Sequence, residues 1–315
     1  MRHGRRRDSV RRMASCDLAE PHGPVEPVRA STVILVREGD GKPLVYLLRR
    51  SGRSDFLPDT YVFPGGTLEA QDWDPGLVEG HVDLSCEMAS LRLGNGISLE
   101  ESLAHAVAAV RETFEEAGVL LARREGQRDH DLEEMLARRG SPKDRESWFT
   151  QAVIASGWIL EISRLARWGH WITPALLDKR FDTRFFMATL PEGQRCAPDH
   201  SETTHGIWLS PWEALGRNHR GELALSPPTL VNLHEVLSHH TFADLMRALA
   251  NRPWGEGRTP RAIPREKGAL LLLPWDPLYD AESPPERARE AAKILEPGEP
   301  FSRLWLSSGI WRPSR

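Results

Sequence analysis

A chain of 315 residues with 40% hydrophobic and 27% charged side chains can bury a full core, which predicts one large globular domain with appendages. A net charge of −4 gives no general attraction to nucleic acid, and no run approaches the roughly 18 uninterrupted apolar residues that would span a membrane. Three cysteines, Cys16, Cys86 and Cys196, are few, odd in number and far apart, which suits a reduced cytoplasmic protein better than a disulfide framework.

Residues 1–28 carry six arginines, Arg2 to Arg12, and lack the apolar stretch of a secretory signal. A disordered basic tail is expected there, with a transit peptide or a true start at Met13 as the alternatives. Ser31 to Val36 and Val45 to Arg50 are β-rich runs around Gly39-Asp40-Gly41, which reads as a hairpin. The second run ends in Arg49 and Arg50, just upstream of Pro64-Gly65-Gly66. Residues 70–97 show no sustained period and read as a loop with one short helix. From Leu99 the apolar residues Leu103, Ala106, Val107, Val110, Phe114 and Ala117 keep a 3.6-residue period. Ser98 with Glu101 forms a capping-box start and Gly118 suits a left-handed cap, so the helix is bounded at about 99–117.

Residues 127–168 alternate helical patches with turn residues and are expected to be helices packed on the core. Phe181 to Leu190 and Gly206 to Leu209 read as strands, and Ser210-Pro211 opens a helix with proline at its first position. Pro227 introduces a helical stretch running to about 250. After Arg252 the composition shifts to Pro, Gly and Arg, a boundary signal. A small unit follows, with a buried strand at Leu270 to Pro274 and a hairpin from Leu304 to Trp311.

The stretch from Arg111 to Val119, Arg-Glu-Thr-Phe-Glu-Glu-Ala-Gly-Val, places three carboxylates on one face of the helix. Like charges at that spacing repel by roughly 0.2–0.5 kcal/mol per pair. Hard divalent cations, which prefer several oxygen ligands, would offset this; a solvated acidic face with an Arg111–Glu115 pair is the competing reading.

Taken together, Pro64-Gly65-Gly66 and Arg111 to Val119 resemble the Nudix box, with Thr113 where an aliphatic residue is usual. Gly66 and Arg111 lie 45 residues apart, about 30 more than the box spans, so the loop before the helix carries an insertion at about 70–97. The first glutamate of the box has no unique place. Counting forward from Gly66 it falls on Asp72, counting back from Arg111 on Leu103, and neither is assigned. The interrupted box, with His170 to Pro174, Arg180 to Phe186, Glu202 and Trp208 to Pro211 in that order, is similar to the branch of Nudix hydrolases that includes the peroxisomal coenzyme A diphosphatases.

The resemblance implies a Nudix α/β/α sandwich with a mixed sheet at about 29–252, and a C-terminal appendage at 253–315 packed on it. It implies metal-dependent hydrolysis, with Mg²⁺ or Mn²⁺, of a diphosphate linkage in a nucleoside diphosphate derivative. Coenzyme A or an acyl-CoA, giving 3′,5′-ADP and (acyl-)phosphopantetheine, is the favoured substrate; ADP-ribose, NADH or a nucleotide sugar is the alternative, and a non-catalytic binding or regulatory module the competing class. In this reading Glu112, Glu115, Glu116 and a carbonyl at Gly66 hold the metal, and Arg111 orients one of the glutamates. Glu202 is the candidate base that activates water, with Glu116 next, and Arg49, Arg50, Arg180 and Arg184 are candidates for binding substrate phosphate. The expected partner is a small nucleotide, neither nucleic acid nor membrane, with room for a homodimer. The expected location is the cytoplasm, a peroxisome or mitochondrion staying open for a eukaryotic source.

Overall fold

The computed structural model describes residues 25–54, 57–94, 96–126, 129–139, 147–250, 252–265, 268–282 and 293–315; nearly all of the tail expected at 1–28 lies outside them. Strands β1 (Val28–Gly39) and β2 (Lys42–Arg50) form the expected hairpin. Their turn puts Asp40 at φ 51° and Gly41 at φ 75°, the left-handed pair of a two-residue hairpin turn. The short strands β3 (Tyr61–Val62) and β4 (Gly65–Thr67) follow.

The insertion is more ordered than a loop. It holds a 3₁₀ turn at Ala70–Trp73 and two helices, α1 (Pro75–Gly80) and α2 (Cys86–Leu93). Asp74 and Ser85 cap them by accepting from backbone N–H groups of their first turns, local signals that an apolar-period search passes over. Helix α3 (Leu99–Ala117) starts and stops as its sequence predicts: Ser98 Oγ accepts from the Glu101 N–H, and Gly118 adopts φ 69°. Its glutamate-bearing side is not a freely solvated face, because the insertion and β4 cover much of it, and Glu116 is only 6% exposed.

Beyond α3, β5 (Ala122–Arg123) leads to α4 (Asp129–Arg139) and α5 (Trp148–Ser156). The helical reading of 127–168 fails at its end. Ile159–Leu160 is strand β6, paired with β5, and β7 (Ala166–Ile172) already belongs to the main sheet. The β-branched and aromatic residues there are drawn into ladders by available edges, which short-range periodicity does not register. Strands β8 (Phe181–Thr189) and β9 (Thr203–Leu209), then α6 (Pro211–His219), α7 (Pro227–Leu237) and α8 (Phe242–Leu249), complete the domain. The single stretch expected to run to 250 is broken between α7 and α8, where Thr241 caps the second helix.

The seven-stranded sheet runs β3-β2-β1-β8-β7, with β4 also on β1 and β9 also on β2. Its β1–β8 pairing is parallel and its other ladders antiparallel, so the mixed α/β sandwich expected from the resemblance is what forms. One face, with Val33, Leu35 and Phe186, packs on α3. The other, with Ile34, Val36 and Met187, packs on α6, α7 and a second sheet. That second sheet is β10 (Arg261–Pro264), β11 (Ala269–Leu272), β12 (Arg303–Ser307) and β13 (Ile310–Ser314) in sequential order.

His234, on α7, is half-buried, and its desolvation pushes the imidazole down to about 4. On acidification the unfolded chain takes up this proton first, near pH 6.5, so the group costs stability as the pH falls from 6.5 and stops costing more below about 4. The His234→Leu variant is therefore expected to gain up to roughly 3 kcal/mol relative to wild type between pH 7 and pH 4. The comparison with wild type cancels the buried carboxylates of α3, which titrate with the opposite sign. Urea unfolding of both proteins across that range measures the gap; a gap independent of pH would mean that the imidazole charges freely in the fold.

Candidate active site

The site grows from a close approach. Strand β4 pairs with β1 so that Gly65 faces Thr32 and Gly66 faces Ser31, and the C-terminal turns of α3 pack directly over it. A Cβ on Gly65 would stand 2.4 Å from the Ser31 carbonyl oxygen, and one on Gly66 would stand 2.4 Å from Glu112 Oε1. Only glycine lets backbone and carboxylate come together here. The Gly65 N–H donates to Glu116 Oε2 at 2.9 Å, which ties the last turn of the helix to the strand.

Arg111 is the hub. It is 1% exposed, and its five N–H groups make five hydrogen bonds. Nε and Nη2 donate to the two oxygens of Asp72 at 2.9 Å each, Nη1 to Glu112 Oε1 at 2.8 Å and Glu115 Oε2 at 2.9 Å, and Nη2 also to the Thr67 carbonyl at 2.9 Å. Burial opposes its charge, but the hydrogen bonds to Asp72 and the neighbouring carboxylates outweigh that and raise its pKa.

Asp72 is the residue that the sequence left unassigned. Both candidate positions for the first acid of the box are now decided by geometry: Leu103 is buried in the α3 core cluster, whereas Asp72 makes a bidentate pair with Arg111. The count forward from Gly66 reaches the acid that pairs with Arg111, because the extra helices α1 and α2 follow Asp72 and leave the turn before it intact. Two more contributors escaped the sequence. Trp148 Nε1 donates to Glu115 Oε1 at 2.8 Å, and Arg139 Nε donates to the Glu115 carbonyl at 2.7 Å. Both come from helices far along the chain, with no local motif to mark them.

Burial pushes Glu112 up to about 7, against the pull of Arg111. Glu116 is raised well above the usual carboxylate range, first by burial and then by the charge of Glu112, while the Gly65 N–H and Arg50 pull it down. Glu115 is raised less, again by burial against Arg111. Among the described residues no three His, Cys, Asp or Glu side chains are already gathered closely enough to hold a metal ion. The donor chemistry nevertheless fits a hard divalent cation, which takes few protein carboxylates and completes its shell with water and phosphate oxygens. Two neighbouring carboxylates held out of water with raised proton affinity are short of positive charge. The Gly66 cradle also keeps the space beside Glu112 free of a side chain.

These groups line one end of a cleft of about 1230 Å³. Glu202, exposed in the turn organised by Asp199, lines it too, and its charge is felt by Glu116. Of the four arginines expected at the substrate, only Arg50 lines the cleft. Arg49 is paired with Asp59 at 2.8 Å. Arg180 donates to the carbonyls of Thr173 and Val25. Arg184 lies under Trp254 on the α3 side of the sheet, because strand alternation turns it away from the cleft while its neighbours Thr183 and Phe185 face in.

A family model described as the NUDT19 Nudix domain matches residues 28–236. The chain is similar to the proteins named acyl-coenzyme A diphosphatase NUDT19 from Xenopus laevis, at 27% identity over 84% of this chain and 78% of that protein, and from Homo sapiens, at 28% over 82% and 79%. A crystal structure of a NUDIX hydrolase from Alicyclobacillus acidocaldarius shares the fold, with a TM-score of 0.57 and 24% identity over 73% of this chain and 100% of that one. With the box residues gathered around Arg111 and the matched domain spanning most of the chain, this protein belongs to the Nudix hydrolases, in the family of the NUDT19 Nudix domain.

Proposed function

We propose that this hydrolase cleaves the diphosphate linkage of coenzyme A and its acyl thioesters, releasing 3′,5′-ADP and (acyl-)phosphopantetheine, with Mg²⁺ or Mn²⁺ as its divalent cation. The observation that carries the reading is the pair Glu112 and Glu116, the first mostly covered and the second buried, against Gly65-Gly66 at the end of a cleft large enough for a dinucleotide-sized substrate. The names of the relatives support the choice of substrate.

Glu112, Glu115 and Glu116 would hold the cation. Glu115 has both oxygens engaged, by Trp148 and Arg111, whereas Glu112 Oε2 and Glu116 Oε1 lie outside the bonds described above. Such a cation neutralises charge on the phosphate oxygens and acidifies bound water. The chain's own residues do the positioning. Arg111 fixes Glu112 and Glu115 by hydrogen bonds, and the Gly65 N–H fixes Glu116. Glu202 stands at the cleft wall as the group that would accept the proton of an attacking water. Arg50 donates to Ser54 at 2.8 Å and lies close enough to Glu116 to lower its pKa; at the cleft it would turn its guanidinium to a phosphate.

A panel of coenzyme A, 3′-dephospho-coenzyme A, ADP-ribose and NADH, in Mg²⁺ and in Mn²⁺ with products identified by mass, tests this. A charge-assisted bond to the 3′-phosphate is worth on the order of 1.5–3 kcal/mol, so kcat/KM for coenzyme A is expected to exceed that for the dephospho form about tenfold or more. Arg50→Ala should reduce the preference. Equal values on the wild type would leave a general nucleotide diphosphatase.

A further inference from the structure

The cleft does not end at the carboxylates. Its floor runs across the main sheet, from Gly65 on β4 to Thr32 on β1 and Phe185 on β8, which are direct partners in adjacent strands. At about 4.8 Å per strand this carries the floor roughly 10 Å sideways. Its far wall is the second sheet, which lies outside the residues that the family model matches.

Strand alternation gives that sheet two different faces. Ile263, Leu270 and Leu272 form a cluster of their own with Tyr279 and Trp305. The opposite face carries Ala262, Pro264, Ala269 and Leu271, which line the cleft with Ile263 and with Trp311 from β13; Leu271 and Trp311 are buried in the core shared with the main sheet. Ala262 pairs with Leu271 and Pro264 with Ala269, so small or ring-closed residues alternate with the larger one and the wall stays recessed. Arg50, Glu112, Glu116, Arg139 and Glu202 line the end near β4, and Asp178 and Lys179 line the cleft from the β7–β8 loop, whereas residues 226–229, 260–271 and Trp311 bring no charged side chain among the described residues that line the cleft.

A substrate that fits both ends is charged at one end and aliphatic at the other. We propose that the recessed wall of the C-terminal sheet receives the fatty acyl chain of an acyl-CoA, so that this sheet sets the enzyme's preference for acyl-chain length. The inference rests on the coenzyme A reading above and goes beyond it by assigning the acyl group to residues outside the matched domain.

The test compares kcat/KM for free coenzyme A with that for acetyl-, hexanoyl-, dodecanoyl- and hexadecanoyl-CoA, on wild type, Ala262→Leu and Ala269→Leu, each below the micelle concentration. Each methylene removed from water is worth up to about fourfold. Wild-type kcat/KM is therefore expected to climb with chain length through KM, then level off when the wall is filled. Either leucine variant should lower the ratio of dodecanoyl-CoA to free coenzyme A by tenfold or more. A wild type that cleaves coenzyme A with no dependence on chain length would overturn the acyl assignment alone. So would leucine variants that melt like wild type and keep its ratio of dodecanoyl-CoA to free coenzyme A. A wild type that cleaves no coenzyme A species at all would overturn the substrate reading and the inference with it.

Discussion

Replacing Glu116 with Gln is expected to cut kcat/KM on any diphosphate substrate by on the order of a hundredfold to a thousandfold, with the fold intact. The amide keeps the volume and can still accept the Gly65 N–H bond that the carboxylate accepts at 2.9 Å. What it removes is a negative charge whose burial beside Glu112 already raises its proton affinity. Without added metal the variant should therefore melt no lower than wild type, and Glu112→Gln should behave in the same way. The two measurements separate chemistry from stability: activity at saturating Mg²⁺, and Tm in a chelator. A variant that keeps activity within a few fold of wild type would remove this end of α3 from the reaction.

Arg111→Ala should instead strike the fold. Removing it leaves Asp72 fully buried and unpaired, with Glu112 mostly covered beside it. Stripping one partner from a buried ion cluster costs about 3–5 kcal/mol, because the remaining charges keep their desolvation penalty. For a domain of this size that corresponds to a Tm lower by roughly 10 °C. Activity should fall as well, since Glu112 and Glu115 lose the group that aims them. Arg111→Lys should recover only part of either, because an ammonium cannot serve five acceptors in the plane of the guanidinium. In a double-mutant cycle, Asp72→Ala on the Arg111→Ala background should cost much less than Asp72→Ala alone. Additive losses would show that the bidentate pair is not what holds the insertion to α3.

The identity of the insertion follows from that pair. Asp72 sits at the end of a turn in which Glu69 and Asp72 exchange capping bonds, with the Glu69 N–H donating to Asp72 Oδ2 at 2.7 Å. Thr150 on α5 then holds the same turn through Gln71. The extra helices α1 and α2 are thus spliced in behind an acid that stays in place, which is why the box functions as one unit in space although the chain interrupts it.

Where the signal was local, the sequence by itself determined the outcome. The bounds of α3 follow from Ser98, Gly118 and a 3.6-residue apolar period, the β1–β2 turn from Asp40-Gly41, and the cluster of acids from Glu112, Glu115 and Glu116 on adjacent turns. These features depend on dihedral preferences and spacing over a few residues, which the chain carries wherever it goes. Tertiary structure decided what depends on who meets whom. It selected Asp72 over Leu103 as the partner of Arg111, brought in Trp148 and Arg139 from later helices, and turned Ile159–Leu160 into a strand beside β5. It also kept Arg50 in the cleft and turned Arg184 to the far side of the sheet. Side chains on a strand alternate between faces, so their destination is fixed by the register of the sheet and by what packs on each face, and neither is written in the spacing of the arginines.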